Sequence, residues 1–289
     1  MSWQIALGML VIVQNISIIL TKAASDRISK KSLGVFYQYL FCAIITVICA
    51  ISTGKAQLNS TVLGIGAVGF LNCIGSYFQW KVSGLSLSKT ALFFPLMEIV
   101  TIVLAVIFLG EKTFWTIPLI CGIVICFSTM LYFRFPKEKE DKEKKVESSK
   151  WFTYAIAMVL IFGAAGFFIK FFSDKVPTET FLMGFYVGAF LGSFPLLIAE
   201  KQNPLNAPRK TILWTLPVAA TITSAVFIIF WTYQLGGPVS FVIPVRGLSI
   251  TLIPVLAGWF FFKERKGLTI HDGLVFLTGI MAVILILTR

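Results

Sequence analysis

Charge is scarce in this chain. Only 13% of its 289 residues are Asp, Glu, Lys or Arg, against about a quarter in ordinary soluble domains. With 57% hydrophobic residues and a mean hydropathy of +0.88, a water-soluble globular fold is excluded. Histidine occurs once, as His271 beside Asp272 at the start of an apolar run, where an interfacial role fits better than a proton relay. The five cysteines (Cys42, Cys49, Cys73, Cys121 and Cys126) all fall inside apolar runs and never in a C-x-x-C spacing. Neither a disulfide framework nor a cysteine-based metal site is indicated. No nucleophile–base pair, metal cluster or phosphate loop is present, so hydrolytic or transfer chemistry has no residues to run it. The expectation is a protein that is not an enzyme, with no cofactor and no metal. No basic stretch precedes the first apolar run, which therefore reads as a retained helix and not a cleaved leader.

What the chain has is long apolar runs. About 20 residues span a bilayer core, and ten runs with little or no charge fit that length: 3–21, 33–54, 60–80, 86–109, 114–134, 151–172, 180–199, 211–235, 238–262 and 269–288. The stretch 211–245 holds 35 residues without a charge. As one helix it would be about 52 Å long, too long for a core of about 30 Å. Leu235-Gly236-Gly237-Pro238 supplies the reversal, since paired glycines and a proline punctuate helices. The fold class expected is all-α and integral to the membrane.

The net charge of +12 sits in short clusters between the apolar runs. That is the pattern of cytoplasmic loops, not of a nucleic-acid-binding face. Of the 25 Lys and Arg, nineteen fall on the loops after odd-numbered spans, five lie on the opposite side, and Arg246 lies within a span. The positive-inside rule then places both termini outside. Between the fifth and sixth spans, eleven of the fourteen residues 137–150 are charged, which reads as a solvated linker.

The segments flanking that linker, 1–136 and 151–289, echo each other. Trp3 and Lys22 are 19 residues apart, as are Trp151 and Lys170. Each lysine is followed at the same offset by a Ser-Asp-basic triplet, Ser25-Asp26-Arg27 and Ser173-Asp174-Lys175, and Phe36-Tyr37 echoes Phe185-Tyr186. Trp80 precedes Glu111 by 31 residues, and Trp231 precedes Glu264 by 33. Five spans per half is an odd number, so the second half enters the membrane from the opposite side. The expectation is ten transmembrane helices in a five-plus-five inverted-topology repeat, with a site at the midplane between the halves.

Two matching stretches organise the rest, Lys89–Lys112 and Ser240–Lys266. Each carries a proline near its start and one charge inside the span, Glu98 after Pro95 and Arg246 after Pro244. Charges inside a membrane segment usually face a protein interior and mark pathways. Glu98 and Arg246 are therefore the leading candidates, each holding one end of a polar substrate or holding each other between cycles. A buried structural ion pair is the alternative. Glu111 and Glu264, at span ends beside basic residues, read as signature and topology residues. Asn72, Ser76 and Gln79 share one helical face of the third span. Gln14, Ser17 and Thr21, with Asn15 adjacent, mark the first span, and Thr221, Ser224 and Trp231 the eighth. Such polar stripes can also simply join helices. Tyr37, Trp80, Tyr186 and Tyr233 could stack on a substrate or cage a cation, although aromatic residues near span ends are commonly interfacial anchors.

FLGEK closing the fourth span and FKER closing the ninth, within this ten-span repeat, resemble the EamA-type drug/metabolite transporter superfamily over essentially the whole chain. The resemblance implies a central cavity lined by spans 1, 3, 4, 6, 8 and 9, with spans 5 and 10 outside it. It implies a multi-pass protein of the cell membrane, here taken as a prokaryotic plasma membrane. Relatives move amino acids, sugars, nucleotide-sugars, choline and drugs. One departure stands out: small multidrug members use a glutamate in the first span, where this chain has Gln14 and Asn15. The function expected is secondary active transport of a small polar metabolite, with an amino acid or similar zwitterion the first choice. Glu98 would face its ammonium and Arg246 its carboxylate, with a coupled proton or counter-substrate as partner. Alternatives are a sugar-phosphate or nucleotide-sugar anion exchanger and a multidrug or cation exporter. From other classes, a receptor-like protein or lipid-modifying membrane enzyme remains; the enzyme would need a catalytic cluster at a span end, and the sequence has none.

Overall fold

The computed structural model describes residues 2–109, 117–134, 142–173, 175–237, 239–264 and 270–287. Within them the chain is helical, with no strand. In order the helices are α1 (Trp3–Arg27), α2 (Lys31–Ser52), α3 (Ser60–Leu85), α4 (Leu87–Ala91), α5 (Phe94–Leu109), α6 (Ile117–Arg134), α7 (Lys142–Ser173), α8 (Thr178–Ala199), α9 (Arg209–Gln234), α10 (Val239–Phe260) and α11 (Ile270–Leu287). Among the described residues seven helical stretches are long and apolar enough to cross a membrane, and shorter apolar pieces lie at Ile120–Thr129 and Val245–Phe260. Large apolar side chains such as Ile12, Ile48, Leu63, Ile107 and Leu213 point outward from many of these helices. Water would not tolerate that much contiguous apolar surface, whereas lipid does. The chain is a multi-pass helical membrane protein.

Local chemistry sets the helix ends. Asn59 caps α3, its side chain accepting from the Val62 amide at 3.0 Å. Helices α2, α8 and α9 each end on a left-handed residue, Gly54 (φ 67°), Lys201 (φ 52°) and Gly236 (φ 82°). The reversal expected at Leu235–Pro238 falls between α9 and α10; Pro238 itself lies outside the described residues. The span expected at 86–109 is two helices. Pro95 has no amide hydrogen and disfavours helical geometry at the residue before it. The chain passes from α4 to α5 through three-residue turns, Phe93 N to Thr90 O and Leu96 N to Phe93 O, both 3.0 Å. The charged tract also differs from expectation: from residue 142 onward it is the first part of α7. Lys and Glu are good helix formers, and the apolar run that follows extends the same helix.

Packing follows a regular scheme. Helix α1 packs on α9 and α10, α3 on α7 and α8, α2 on α8 and α9, α5 on α7, and α6 on α11. Lipid gives no hydrophobic drive between helices, so close approach of small residues matters most. At the α3–α8 crossing a side chain on Gly69 would overlap the Phe185 carbonyl, and one on Gly188 would overlap the Gly66 carbonyl.

Contacts sort the helix ends into two sets. At one end, Ser25 Oγ donates to Trp80 O at 2.7 Å, joining the last turns of α1 and α3. There too Ser32 Oγ donates to Glu200 Oε2 at 2.7 Å, joining the start of α2 to the end of α8, and the Arg27 guanidinium lies 4.1 Å over the Trp214 ring near the start of α9. At the other end, Lys55 meets Glu179 at 2.9 Å and Thr178 Oγ1 donates to Gln234 Oε1 at 2.7 Å. Gln234 Nε2 in turn donates to Ser173 O at 3.4 Å, bringing in the end of α7. We call these the Lys22 end and the Lys170 end.

Candidate functional site

Between the helices lies a cavity of about 180 Å³, enough for on the order of ten water molecules or a small metabolite. Helices α1, α3, α5, α7, α8, α9 and α10 contribute to its wall. Span 7, which is α8, therefore joins the six spans expected there, through Phe185 and Tyr186.

Glu98 and Arg246 meet in that wall. Arg246 Nη1 donates to Glu98 Oε1 at 2.7 Å, and Arg246 Nε donates to Gln14 Oε1 at 2.9 Å. One helix turn below the α4–α5 break, the Glu98 side chain is only 4% exposed, whereas that of Arg246 is 20% exposed. Both side chains line the cavity, and the guanidinium is the more exposed of the two. Its Nη2 has no acceptor among the described residues. Thr101, one turn beyond Glu98, donates to Gly163 O at 2.8 Å and ties α5 to α7.

Gln14, Asn72 and Gln79 also line the cavity. Asn72 Nδ2 donates to the Tyr39 hydroxyl at 2.9 Å, which also pairs with Ser76 Oγ. The Gln79 amide makes no side-chain hydrogen bond among the described residues, leaving it open to the cavity.

The other sequence candidates lie elsewhere. Asn15 points away, its Nδ2 donating to Val11 O at 2.7 Å, because adjacent positions on a helix are about 100° apart. Trp231 packs against Phe227. The α9 face turned to the cavity is its apolar one, with Ile222, Ala225, Val226 and Ile229. Thr221 and Ser224 instead bond back to the carbonyls of Pro217 and Ala220, both at 2.9 Å, so their polarity is satisfied within the helix. Tyr37 donates to Pro204 O at 2.8 Å in the α8–α9 connection, and Trp80 is enclosed with Nε1 on Gln38 Oε1 at 2.8 Å. Of the four aromatic candidates, Tyr186 and Tyr233 reach the cavity.

Lys170 reaches it as well, its ammonium 5.7 Å from the centre of the Tyr233 ring. In the sequence it served only as a repeat marker, since a lysine in the last turn of a span reads as interfacial.

A polar cluster lies at the Lys22 end. Glu264 accepts from the amides of Leu87 and Ser88, both at 2.8 Å, and from Ser86 Oγ at 3.2 Å, capping α4 from the end of α10. Lys263 in left-handed conformation (φ 57°) lets the chain fold back to deliver it. Lys22 lies 3.5 Å from Glu264 and 2.9 Å from Asp26, and donates to Gly84 O at 3.1 Å. Glu264 is therefore an enclosed connector (its side chain 14% exposed), not the exposed signature residue expected. Its sequence counterpart, Glu111, lies outside the described residues. Nearby, Glu200 accepts from Tyr77 and Ser32 and sits 3.5 Å from Lys81. Partial burial alone would raise its pKa, but these donors and the lysine outweigh burial and hold it below its ordinary value.

No family model matches the chain, and no curated protein matches it. Solved structures do match. One, known only as "Crystal structure of protein", is 17% identical, with 97% of each chain covered and a TM-score of 0.58. At that identity the likeness shows the fold alone, and it extends over nearly the whole chain.

Proposed function

We propose that this protein is a secondary active transporter of the EamA-type drug/metabolite kind, moving a small polar metabolite by alternating access through the central cavity. The observation that carries the reading is one intramembrane ion pair, Glu98–Arg246, in the wall of a cavity. That cavity runs to Lys170 and Tyr233, and on this reading the Lys22–Glu264 cluster seals the other end. Intramembrane charges of this sort mark substrate pathways.

The reading takes α4 and α5 as one broken span and counts each remaining helix of the described residues as a crossing, ten in all. Several features favour pairing them as two inverted sets of five. Helix α1 ends at the Lys22 end and its counterpart α7 at the Lys170 end, and the same reversal relates α2 to α8. Packing between the halves is symmetric on exchange: α1 on α9 answers α3 on α7, α2 on α9 answers α3 on α8, and α1 on α10 answers α5 on α7. Inverted repeats of this design place the site between the halves and work by rocking one against the other. On the lysine and arginine count, the sealed Lys22 end is cytoplasmic.

A cation exporter is the weaker reading, because among the described residues the one carboxylate lining the cavity already holds Arg246. Reconstitution into vesicles with a panel of radiolabelled amino acids, organic acids, sugar phosphates and amines tests the proposal. Saturable uptake of at least one polar solute is expected, and its absence across the panel overturns the reading.

A further inference from the structure

Among the described residues, the charges that line the cavity do not balance. Glu98 and Arg246 neutralise each other at 2.7 Å. Lys170 has no carboxylate within ion-pair distance among the described residues; its neighbour is the face of the Tyr233 ring. Tyr186 and Tyr233 line the same cavity. The described wall thus carries one positive charge in excess. The guanidinium points the same way: Arg246 Nη2 has no protein acceptor among the described residues, and a carboxylate oxygen accepts from it in a charge-assisted bond.

The remainder of the lining is apolar, with Phe94, Met97, Phe162, Phe167, Ile229 and Ile250 among it. A bound molecule therefore meets the cationic groups of Arg246 and Lys170 in an otherwise largely apolar wall. An ammonium group meets Lys170 and a carboxylate already held by Arg246, so a zwitterion gains little from its second charge.

We propose that the cavity selects a small organic anion, a carboxylate on an apolar body with no compensating ammonium, and that Lys170 is the residue that sets this preference. The inference rests on the transport reading for its purpose. Its test, however, is equilibrium binding, which stands apart from flux.

Three molecules share one carbon skeleton and differ in charge: 4-methylpentanoate (anion), leucine (zwitterion) and 4-methylpentylamine (cation). Each is titrated calorimetrically into the full chain in detergent at pH 7.5, with empty micelles as reference. The anion is expected to bind at least about tenfold tighter than leucine, the worth of one charge-assisted contact, and the amine not at all. Lys170→Gln should weaken the anion by about tenfold or more, and Lys170→Arg should keep its affinity. Should Lys170→Gln fail to fold, the wild-type comparison of the three ligands still decides. Leucine or the amine binding as tightly as the anion, none of the three binding, or Lys170→Gln leaving the anion's affinity unchanged overturns the proposal. Selective anion binding without vesicle flux would instead refute transport and leave the charge assignment standing.

Discussion

Arg246 and Glu98, 148 residues apart in the chain, meet with Nη1 2.7 Å from Oε1, and the two partners are not equally enclosed. The Glu98 side chain is 4% exposed and that of Arg246 20%. Without Arg246, the carboxylate is left in a nearly closed pocket with no counter-charge. Without Glu98, the guanidinium keeps Gln14 and its access to cavity water.

Arg246→Gln should therefore cost more stability than Glu98→Gln, on the order of 3–5 kcal/mol for the former. The double variant should recover much of that loss, because it removes both charges of the pair together. Thermal midpoints of the four proteins in one detergent form the double-mutant cycle. Equal single costs that simply add would contradict the asymmetry.

Glu264 and Lys22 link the end of α10 to α1 and α4 at the sealed end. Weakening that cluster should open this end more often. Ser83, buried in α3 near it, reports opening when replaced by cysteine in a background lacking Cys49, Cys121 and Cys126. Labelling of Ser83→Cys by an impermeant maleimide should rise by about tenfold when Glu264→Gln is added, as expected for losing a charge-assisted contact. An unchanged labelling rate would mean that the cluster does not hold the seal.

The α3–α8 crossing depends on bare backbone. Gly69→Ala and Gly188→Ala should each lose about 1–3 kcal/mol or more, because each methyl meets a carbonyl of the facing helix. Gly8→Ala, with nothing within 4 Å, should be neutral or gain up to about 1 kcal/mol. Thermal midpoints separate the outcomes, and a tolerant Gly188 would show that the two helices are not locked at this point.

Much of this was legible in the sequence because membrane segments make rare residues conspicuous. Glu98 and Arg246 stood out as charges within apolar runs, and they prove to be partners. Which way a polar side chain turns was less legible. Gln14 and Asn15 are equally polar neighbours, and only packing against α10 decides that Gln14 meets Arg246. The polar stripe of α9 misled because Thr221 and Ser224 satisfy themselves on their own helix, leaving Trp231 off the cavity. Lys170 and Glu264 were underread for a common reason: at a span end a charge looks solvated until the neighbouring helices are in place. The break at Leu92–Phe93 carried one cue, Pro95, and its use, presenting the start of α4 to Glu264, depends on a residue more than 170 positions away.

The most direct test of the account is solute flux through the protein with its central pair removed. The double variant Glu98→Gln/Arg246→Gln removes both charges of the pair together and should remain monodisperse and helical. In vesicles loaded for counterflow with a solute that the wild type carries, its saturable uptake should fall to the level of protein-free vesicles. Uptake by the folded double variant at the wild-type rate would contradict the claim that this pair forms the substrate site.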